Sequence, residues 1–465
     1  LHRAPGALPT TAPSGPGGLR AKLLPALRHA AGRGFLIPLL VLFWVIFYQD
    51  LPNQMKGVSL KPIDTGSDVD RIIKIGMLAF ASAMLASRSS EFRAVLTKIN
   101  PGLVAMLVLI PLSAIWSIDQ SATLLRYTTL VAQTLLCLAI PLAGWERDRL
   151  QQASLPPMMT ILVASLAVGA VSPDLVKSDI DDISLKDAWH GITYQKNQFG
   201  GLASIATLFC LHRILAPGKW SPWAMIGICI SVTCLALSRS STSLLATVVV
   251  GAFMFGMLKI DFIKRRFSTP FVVSIFALLI VYTLATQNLI PGVEKLMAPI
   301  MHLTGKDMTF SARSFIWNVI KEHSAGAPWL GTGYAAYWTG ETPTSASYIF
   351  VYLMHFYPTS SHNGYLEILN DLGRVGLICL LVFLVVYLRQ ALRLLPYDRK
   401  QAVLYLAILL QQMIANMSES EWFSRSAFST VVTLATVCLA RAHVDLEMRM
   451  RQQAQVRRAA VAAAR

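Results

Sequence analysis

The sequence predicts an all-α polytopic membrane protein of about twelve transmembrane helices, with one large external loop that carries short amphipathic helices. Three observations predict it. Of 465 residues, 54% are hydrophobic and only 14% charged, and mean hydropathy is +0.52, outside the range of soluble domains. Apolar runs long enough to approach the thickness of a bilayer recur along the whole chain. Lys and Arg gather in alternate short loops, as membrane topology demands. The net charge of +16 is thereby explained as orientation, and no nucleic-acid partner is implied.

In order, residues 1–33 are rich in Pro, Gly, Ala and Arg without an apolar period, and read as a disordered basic tail. The first apolar run, about 35–49, ends in Tyr48-Gln49-Asp50 rather than in a small-residue cleavage site, and reads as a retained span. Further spans are expected at about 72–87, 102–116, 121–143, 155–172, 198–216, 221–237, 241–258 and 270–289, so that 34–289 holds nine. After a loop over 290–361, spans at about 373–388, 401–417 and 426–440 fill 362–444, and 445–465 forms a second tail. The basic loops Lys259–Arg266 and Arg389–Lys400 fix the orientation best, because short loops follow the charge rule most closely, and they put both termini in the cytoplasm. All six cysteines (Cys137, Cys210, Cys229, Cys234, Cys379 and Cys438) fall in apolar runs, as buried small hydrophobes without disulfide or metal.

Two external segments are too long to be plain connectors: about 173–197, and 290–361 with its many aromatic residues. In the second, Ala312, Phe315, Ile316, Val319 and Ile320 recur at helical spacing, predicting an amphipathic helix on the membrane surface over about 311–323. Pro328-Trp329-Leu330-Gly331-Thr332-Gly333-Tyr334 then reads as a tight turn.

Polar candidates cluster on this external side. Ser360 and Ser361 are expected to cap a helix whose first turn carries His362, followed by Asn363; the helix dipole favours a neutral imidazole, which serves as general base or as plain interfacial anchor. Arg239 lies in a very short turn, Leu237-Ser238-Arg239-Ser240-Ser241, as anion ligand or snorkelling anchor. Arg313 opens the amphipathic helix, where a surface role is the simpler reading. Lys196-Asn197 precede a span as polar ligand or, the preferred reading, helix cap. Arg126 lies inside a span, where an unpaired charge is costly, so it faces the bundle interior or a cavity. Glu367, Asp371 and Arg374 read as an ion-pair ladder. Glu419 and Glu421 lie in the last external loop, within reach of one of the arginines. The chain has no phosphate-binding Gly-x-x-x-x-Gly-Lys-[Ser/Thr] loop and no His-Glu-x-x-His zinc motif, which argues against ATP hydrolysis and zinc chemistry.

Assembled, these stretches resemble the O-antigen ligase and polymerase superfamily of bacterial envelope glycosyltransferases. The resemblance rests on His362-Asn363 followed by Gly373-Arg374-Val375-Gly376, on Trp116-Ser117-Ile118-Asp119, Gln195-Lys196-Asn197-Gln198-Phe199-Gly200 and Leu237-Ser238-Arg239-Ser240-Ser241-Thr242-Ser243, and on Arg313…Trp317…Pro328-Trp329-Leu330-Gly331-Thr332-Gly333-Tyr334. Two positions depart from the family pattern: Ala312 precedes Arg313 where Gly is common, and Cys379 stands where Gly, Thr or an aromatic is usual. The exopolysaccharide polymerases look nearest. The resemblance implies a metal-independent, cofactor-free transfer of glycan from undecaprenyl diphosphate to an acceptor hydroxyl, at the periplasmic face of the bacterial inner membrane. Arg239 and Arg313 would hold the diphosphate and His362 would take the acceptor proton, with Lys196, Asn197, Asn363 and Arg126 binding substrate. The implied partners are the lipid-linked glycan, an acceptor glycan or lipid A, membrane lipids, and chain-length regulator and flippase proteins. The competing reading is a transporter or flippase of lipid-linked glycans, against which stand the lack of an internal repeat and a membrane midplane whose only charge is Arg126.

Overall fold

The structure, a computed structural model, describes residues 68–177, 187–193, 195–216, 221–286, 311–324, 326–340, 343–354 and 357–463. The basic tail over 1–33, the span expected at 35–49 and residues 287–310 of the large loop lie outside the described residues. Among the described residues the chain is helical, with a single isolated bridge between Lys177 and Trp189 and no strand.

Among the described residues fourteen α-helices follow one another: α1 (Asp68–Ser87), α2 (Ser89–Leu96), α3 (Pro101–Leu112), α4 (Gln120–Ala143), α5 (Arg149–Val171), α6 (Lys196–Leu215), α7 (Pro222–Leu237), α8 (Ser241–Lys259), α9 (Ser268–Thr286), α10 (Ser311–Ser324), α11 (Tyr348–Met354), α12 (Gly364–Leu394), α13 (Arg399–Ala415) and α14 (Ala427–Ala463). Several starts are legible in the sequence. The Asn100 side chain caps α3 by accepting from Gly102 N at 2.8 Å, with Pro101 at the first helical position. Asp119 caps α4 through Ala122 N (2.9 Å), and Asp398 caps α13 through Gln401 N (3.1 Å).

Each of the eleven spans expected from residue 72 onward falls on one of these helices. By length and composition six of them are able to cross a membrane, namely α4, α5, α6, α8, α12 and α14 up to Ala462. A seventh span arises if α2 and α3 with its following turn, bent by 100°, count as one. At the centre lies α13, in which every residue from Gln401 to Ile414 is buried, so its sequence is apolar on all sides rather than on one stripe. Residues 445–463, expected as a tail, continue α14 as an exposed helix. Four cysteines are buried as expected, whereas Cys229 on α7 is exposed and Cys379 half-buried, because both lie on outward faces of their helices.

The two ends of the bundle separate the two sets of loops that charge had separated. At one end Arg399 donates to the carbonyls of Met257 (3.1 Å) and Lys264 (2.6 Å), Arg147 lies 3.8 Å from Asp398, and Lys98 meets Glu447 at 3.0 Å. At the other end sit Asn197, Arg239, Arg313, His362 and the loop over 416–426.

That second end is built on a break in α12. Gly373 adopts φ +63° and ψ −160°, so the helix stops at Leu372 and restarts at Arg374. Such a break orphans backbone groups on both sides, and the 328–333 loop supplies all four partners. Thr332 N and Gly333 N donate to the carbonyls of Asn370 and Asp371, each at 2.9 Å. Arg374 N and Val375 N donate to the carbonyls of Pro328 (3.0 Å) and Trp329 (3.1 Å). A Cβ at Gly373 would sit 2.3 Å from the Trp329 carbonyl, so both the dihedral angle and the approach demand glycine. The loop's other side takes the 116–119 turn: Trp116 Nε1 donates to Leu330 O and Ile118 N to Thr332 O, both at 2.9 Å.

The break also removes the expected ion-pair ladder. Arg374 is exposed and stacks on Trp329, 5.2 Å from the ring centre. Glu367 accepts from Trp338 Nε1 (2.7 Å) and Ser361 N (2.8 Å), and Asp371 accepts from Ala335 N (2.7 Å). The apolar face of α10 meets protein rather than a membrane surface: Ile316 and Ile320 are buried with Trp338, Phe350 and Leu366 of α12, while Phe315 is exposed.

Candidate functional site

The site is assembled around Glu419, a half-buried carboxylate in the loop after α13. Its Oε1 accepts from Asn197 Nδ2 at 2.7 Å and lies 3.4 Å from Arg313 Nη2; its Oε2 lies 3.4 Å from His362 Nδ1. Four separate elements thus deliver one group each: the first turn of α6, the start of α10, the turn before α12 and the loop after α13. Arg313 and His362 keep 23% and 17% of their side-chain exposure, so both are held yet reachable.

His362 sits just outside its helix, not in the first turn. Asn363 is the cap, its Oδ1 accepting from Tyr365 N and Leu366 N at 3.1 Å each, and His362 takes a left-handed φ of +50°. That strained conformation turns the imidazole off the helix axis towards Glu419, and strain in a non-glycine residue is tolerated only where surrounding contacts hold it. They do so here: Trp317 Nε1 of α10 donates to Ser361 O (2.9 Å), and Asn363 N donates to the Ser361 hydroxyl (3.3 Å) and the Ser420 hydroxyl (3.2 Å). Ser361, expected as a cap, braces the turn instead.

Arg239 is exposed in a left-handed turn (φ +49°) between α7 and α8, flanked by buried Ser238 and Ser240. This turn rests on α6: a Cβ at Gly200 would come within 2.6 Å of Ser238 Oγ and 2.7 Å of Ser240 Cβ. The absence of a side chain at Gly200 therefore brings Arg239 beside the turn that carries Lys196 and Asn197. Lys196 is the first residue of α6 and is half-buried, and Gln195 holds the cap position, so Asn197 is a partner of Glu419 rather than a cap.

Arg126 and Asn363 are placed differently. Arg126 is 3% exposed, and its guanidinium donates to the carbonyls of Ala335 and of Trp338 (2.8 Å for the latter). Those bonds pin the chain just after the 328–333 loop. Asn363, 2% exposed, spends its side chain on capping α12.

Below Glu419 a narrow cleft descends between α6, α8 and α13. Hydroxyls and amides line it, among them Ser240, Thr242, Ser243, Gln411 and Ser418, together with both Glu419 and Glu421. Burial pushes the Glu421 carboxyl up to about 8, with the neighbouring Glu419 charge adding to the rise and the Ser426 and Ser424 hydroxyls opposing it. Among the described residues no group of three or more His, Cys, Asp or Glu side chains is arranged to hold a metal ion.

Comparison with known proteins follows the same residues. Residues 226–381 match the family model described as O-antigen ligase, a stretch that contains Arg239, Arg313, His362 and the Gly373 break. Over these residues the chain is similar to the O-antigen ligase family. It is also 28% identical over 217 residues to the exopolysaccharide production protein ExoQ of Rhizobium meliloti (strain 1021), across 45% of this chain and 48% of that protein. The chain thus spans about half the length of the curated relative it matches. The superfamily match stops short of Glu419, and Asn197 precedes it. Glu419 is the residue that the reading of motifs weighed only as a partner for an arginine. Its signal in the sequence is two carboxylates, Glu419 and Glu421, in one short loop between two apolar runs.

Proposed function

We propose that this chain transfers a glycan from a polyprenyl diphosphate, undecaprenyl diphosphate in bacteria, to an acceptor hydroxyl, as a polymerase or ligase of O-antigen or exopolysaccharide. The observation that carries the reading is the meeting of a cation, an imidazole and an amide on one carboxylate, inside a superfamily match that names O-antigen ligation. The acceptor oxygen attacks the anomeric carbon of the donor sugar, the bond from that carbon to the diphosphate oxygen breaks, and the acceptor proton passes to His362. The pairing of His362 Nδ1 with Glu419 selects the tautomer protonated on Nδ1 and leaves Nε2 free to accept. A contact of 3.4 Å is long, as catalytic pairs often are before substrate tightens them. Arg239 and Arg313 stabilise the departing diphosphate, for which the planar fork of arginine is suited. No step calls for a metal.

Arg126 and Asn363 act as positioning residues in this reading, and Lys196 and Asn197 edge the donor side. The site lies at the periplasmic face, with both termini cytoplasmic and about twelve spans in the inner membrane. Chain-length regulators and flippases remain partners expected from the superfamily.

The test is incubation of the purified full-length chain with lipid diphosphate-linked repeat units, alone and with lipid A. A ladder from repeat units alone identifies a polymerase, and dependence on lipid A identifies a ligase. His362→Gln is expected to lower transfer by at least ~10²-fold, the contribution of a positioned general base. Wild-type rates in that variant, or no product from the native chain with either acceptor, would refute the reading.

A further inference from the structure

At the opposite end of α13 from Glu419, about 25 Å away for a helix of this length, lies a second, narrow cleft that opens to the outside of the protein. Its walls come from the turn after α4 (Trp145, Arg147), the turn between α12 and α13 (Leu394, Tyr397, Asp398), the first part of α13 (Gln401, Tyr405) and α14 where it leaves the bundle (Ala442, Asp445, Leu446, Arg449). Nothing in the proposed transfer uses it.

Three of its lining residues hold buried polar atoms without a partner: Gln401 Oε1, Tyr405 Oη and Trp145 Nε1. Gln401 is 4% exposed and Tyr405 fully buried. An unpaired buried polar atom costs ~1–3 kcal/mol, and three around one cleft mark a place for a ligand that both donates and accepts hydrogen bonds. The charges at the rim are balanced. Arg147 lies 3.8 Å from Asp398 and Arg449 lies 2.5 Å from Asp445, with Arg147 and Arg449 still about half exposed. A cleft with two cations and two anions gives little net attraction to an anion, and suits a ligand carrying both signs a few ångströms apart. The remaining lining is apolar (Leu394, Ala442, Leu446), with Tyr397 exposed at the lip and Trp145 beside it. Such aromatics mark the level of lipid headgroups on a membrane protein.

We infer that this cleft binds the headgroup of a zwitterionic phospholipid of the phosphoethanolamine type. Its phosphodiester faces Arg147 and Arg449 and its ammonium faces Asp398 and Asp445, while Gln401, Tyr405 and Trp145 meet the headgroup and glycerol oxygens and the ammonium protons. The acyl chains leave past Leu446 and the exposed Tyr397 ring.

The test uses the full-length chain in nanodiscs of phosphatidylethanolamine, phosphatidylglycerol or an equimolar mixture, followed by mild delipidation and native mass spectrometry. The expected result is one phosphatidylethanolamine retained per chain, in preference to phosphatidylglycerol. Gln401→Leu and Tyr405→Phe are each expected to reduce that retention by about tenfold, the effect of one lost buried hydrogen bond, with the elution volume on size exclusion unchanged. Should either variant fail to fold, Asp445→Asn at the rim serves instead, with the preference moving towards phosphatidylglycerol as a carboxylate is removed. Addition of soluble glycerophosphoethanolamine separates headgroup from lipid: displacement only at millimolar levels fits a lipid, and displacement at micromolar levels overturns the acyl part of the inference. Equal retention of both lipids, or retention unchanged in Gln401→Leu and Tyr405→Phe, would overturn the inference.

Discussion

His362 and Glu419 form the smallest unit on which transfer rests in the proposed reading. Replacing Glu419 with Gln preserves size and the bonds to Asn197 and Arg313, but it removes the charge that holds the imidazole in one tautomer and stabilises it once protonated. Glu419→Gln is therefore expected to lower kcat at least ~10-fold while KM for the donor changes little, measured by initial rates on lipid diphosphate-linked repeat units. The neighbouring Glu421 makes a different prediction, about pH. Its carboxyl, outside the spans, is raised by burial from the ordinary glutamate value to about 8. Between those values the folded chain holds a proton that the unfolded chain releases, so stability is greatest below the unfolded value and falls as pH rises to about 8. Thermal melting in detergent at pH 5 and pH 9 is expected to show this decline, and Glu421→Gln is expected to flatten it and to melt higher than the native chain at pH 9. The candidate residues were legible individually as external polar groups, but their convergence was not. Asn197 and Glu419 are 222 positions apart, and no local pattern encodes a contact at that distance.

At the scale of elements, the break in α12 explains why two glycine-containing motifs, 328–334 and 373–376, belong together: one supplies the hydrogen bonds that the other gives up. Gly373→Ala would have to hold φ +63° with a Cβ 2.3 Å from the Trp329 carbonyl. That combination of positive φ with extended ψ is essentially reserved for glycine and costs an alanine ~1–3 kcal/mol, and the overlap forces the loop away. The expected outcome is loss of transfer together with faster proteolysis within 326–340, read by mass spectrometry of limited digests. Helices were readable from apolar runs, and the caps Asn100, Asp119 and Asp398 stand just ahead of the helices that those runs located. The start of α12 was not: Ser360 and Ser361 look as good as Asn363, and the choice was made by tertiary bonds from Trp317 and Ser420. The ladder of Glu367, Asp371 and Arg374 failed for a related reason, because helical spacing says nothing once a glycine interrupts the helix between its members.

For the molecule as a whole, composition already dictated a helical membrane protein, and the alternation of Lys and Arg anticipated which loops would meet at each end of the bundle. The number of spans was less accessible to sequence, because α13 is buried by protein on all sides and reads like a span without being long enough to be counted as one. Orientation is open to direct measurement. Single cysteines at Thr344 and Arg451, both exposed, are expected to react with an impermeant maleimide from opposite sides of sealed vesicles, Thr344 from the periplasmic side. Labelling of both from one side would invert or break the topology. The distance between Asn197 and Glu419 has a further consequence, in time rather than space. A ribosome adding ~5–20 residues per second needs roughly 10–45 s to pass from one to the other. For all of that interval the first turn of α6 is already made while the carboxylate it will bind has no existence, and the matched stretch 226–381 is synthesised and threaded into the bilayer before the loop that completes it. A chain still attached to its ribosome therefore holds arginines and imidazole without the group that gathers them, and in the proposed reading it becomes competent only when the loop over 416–426 has emerged.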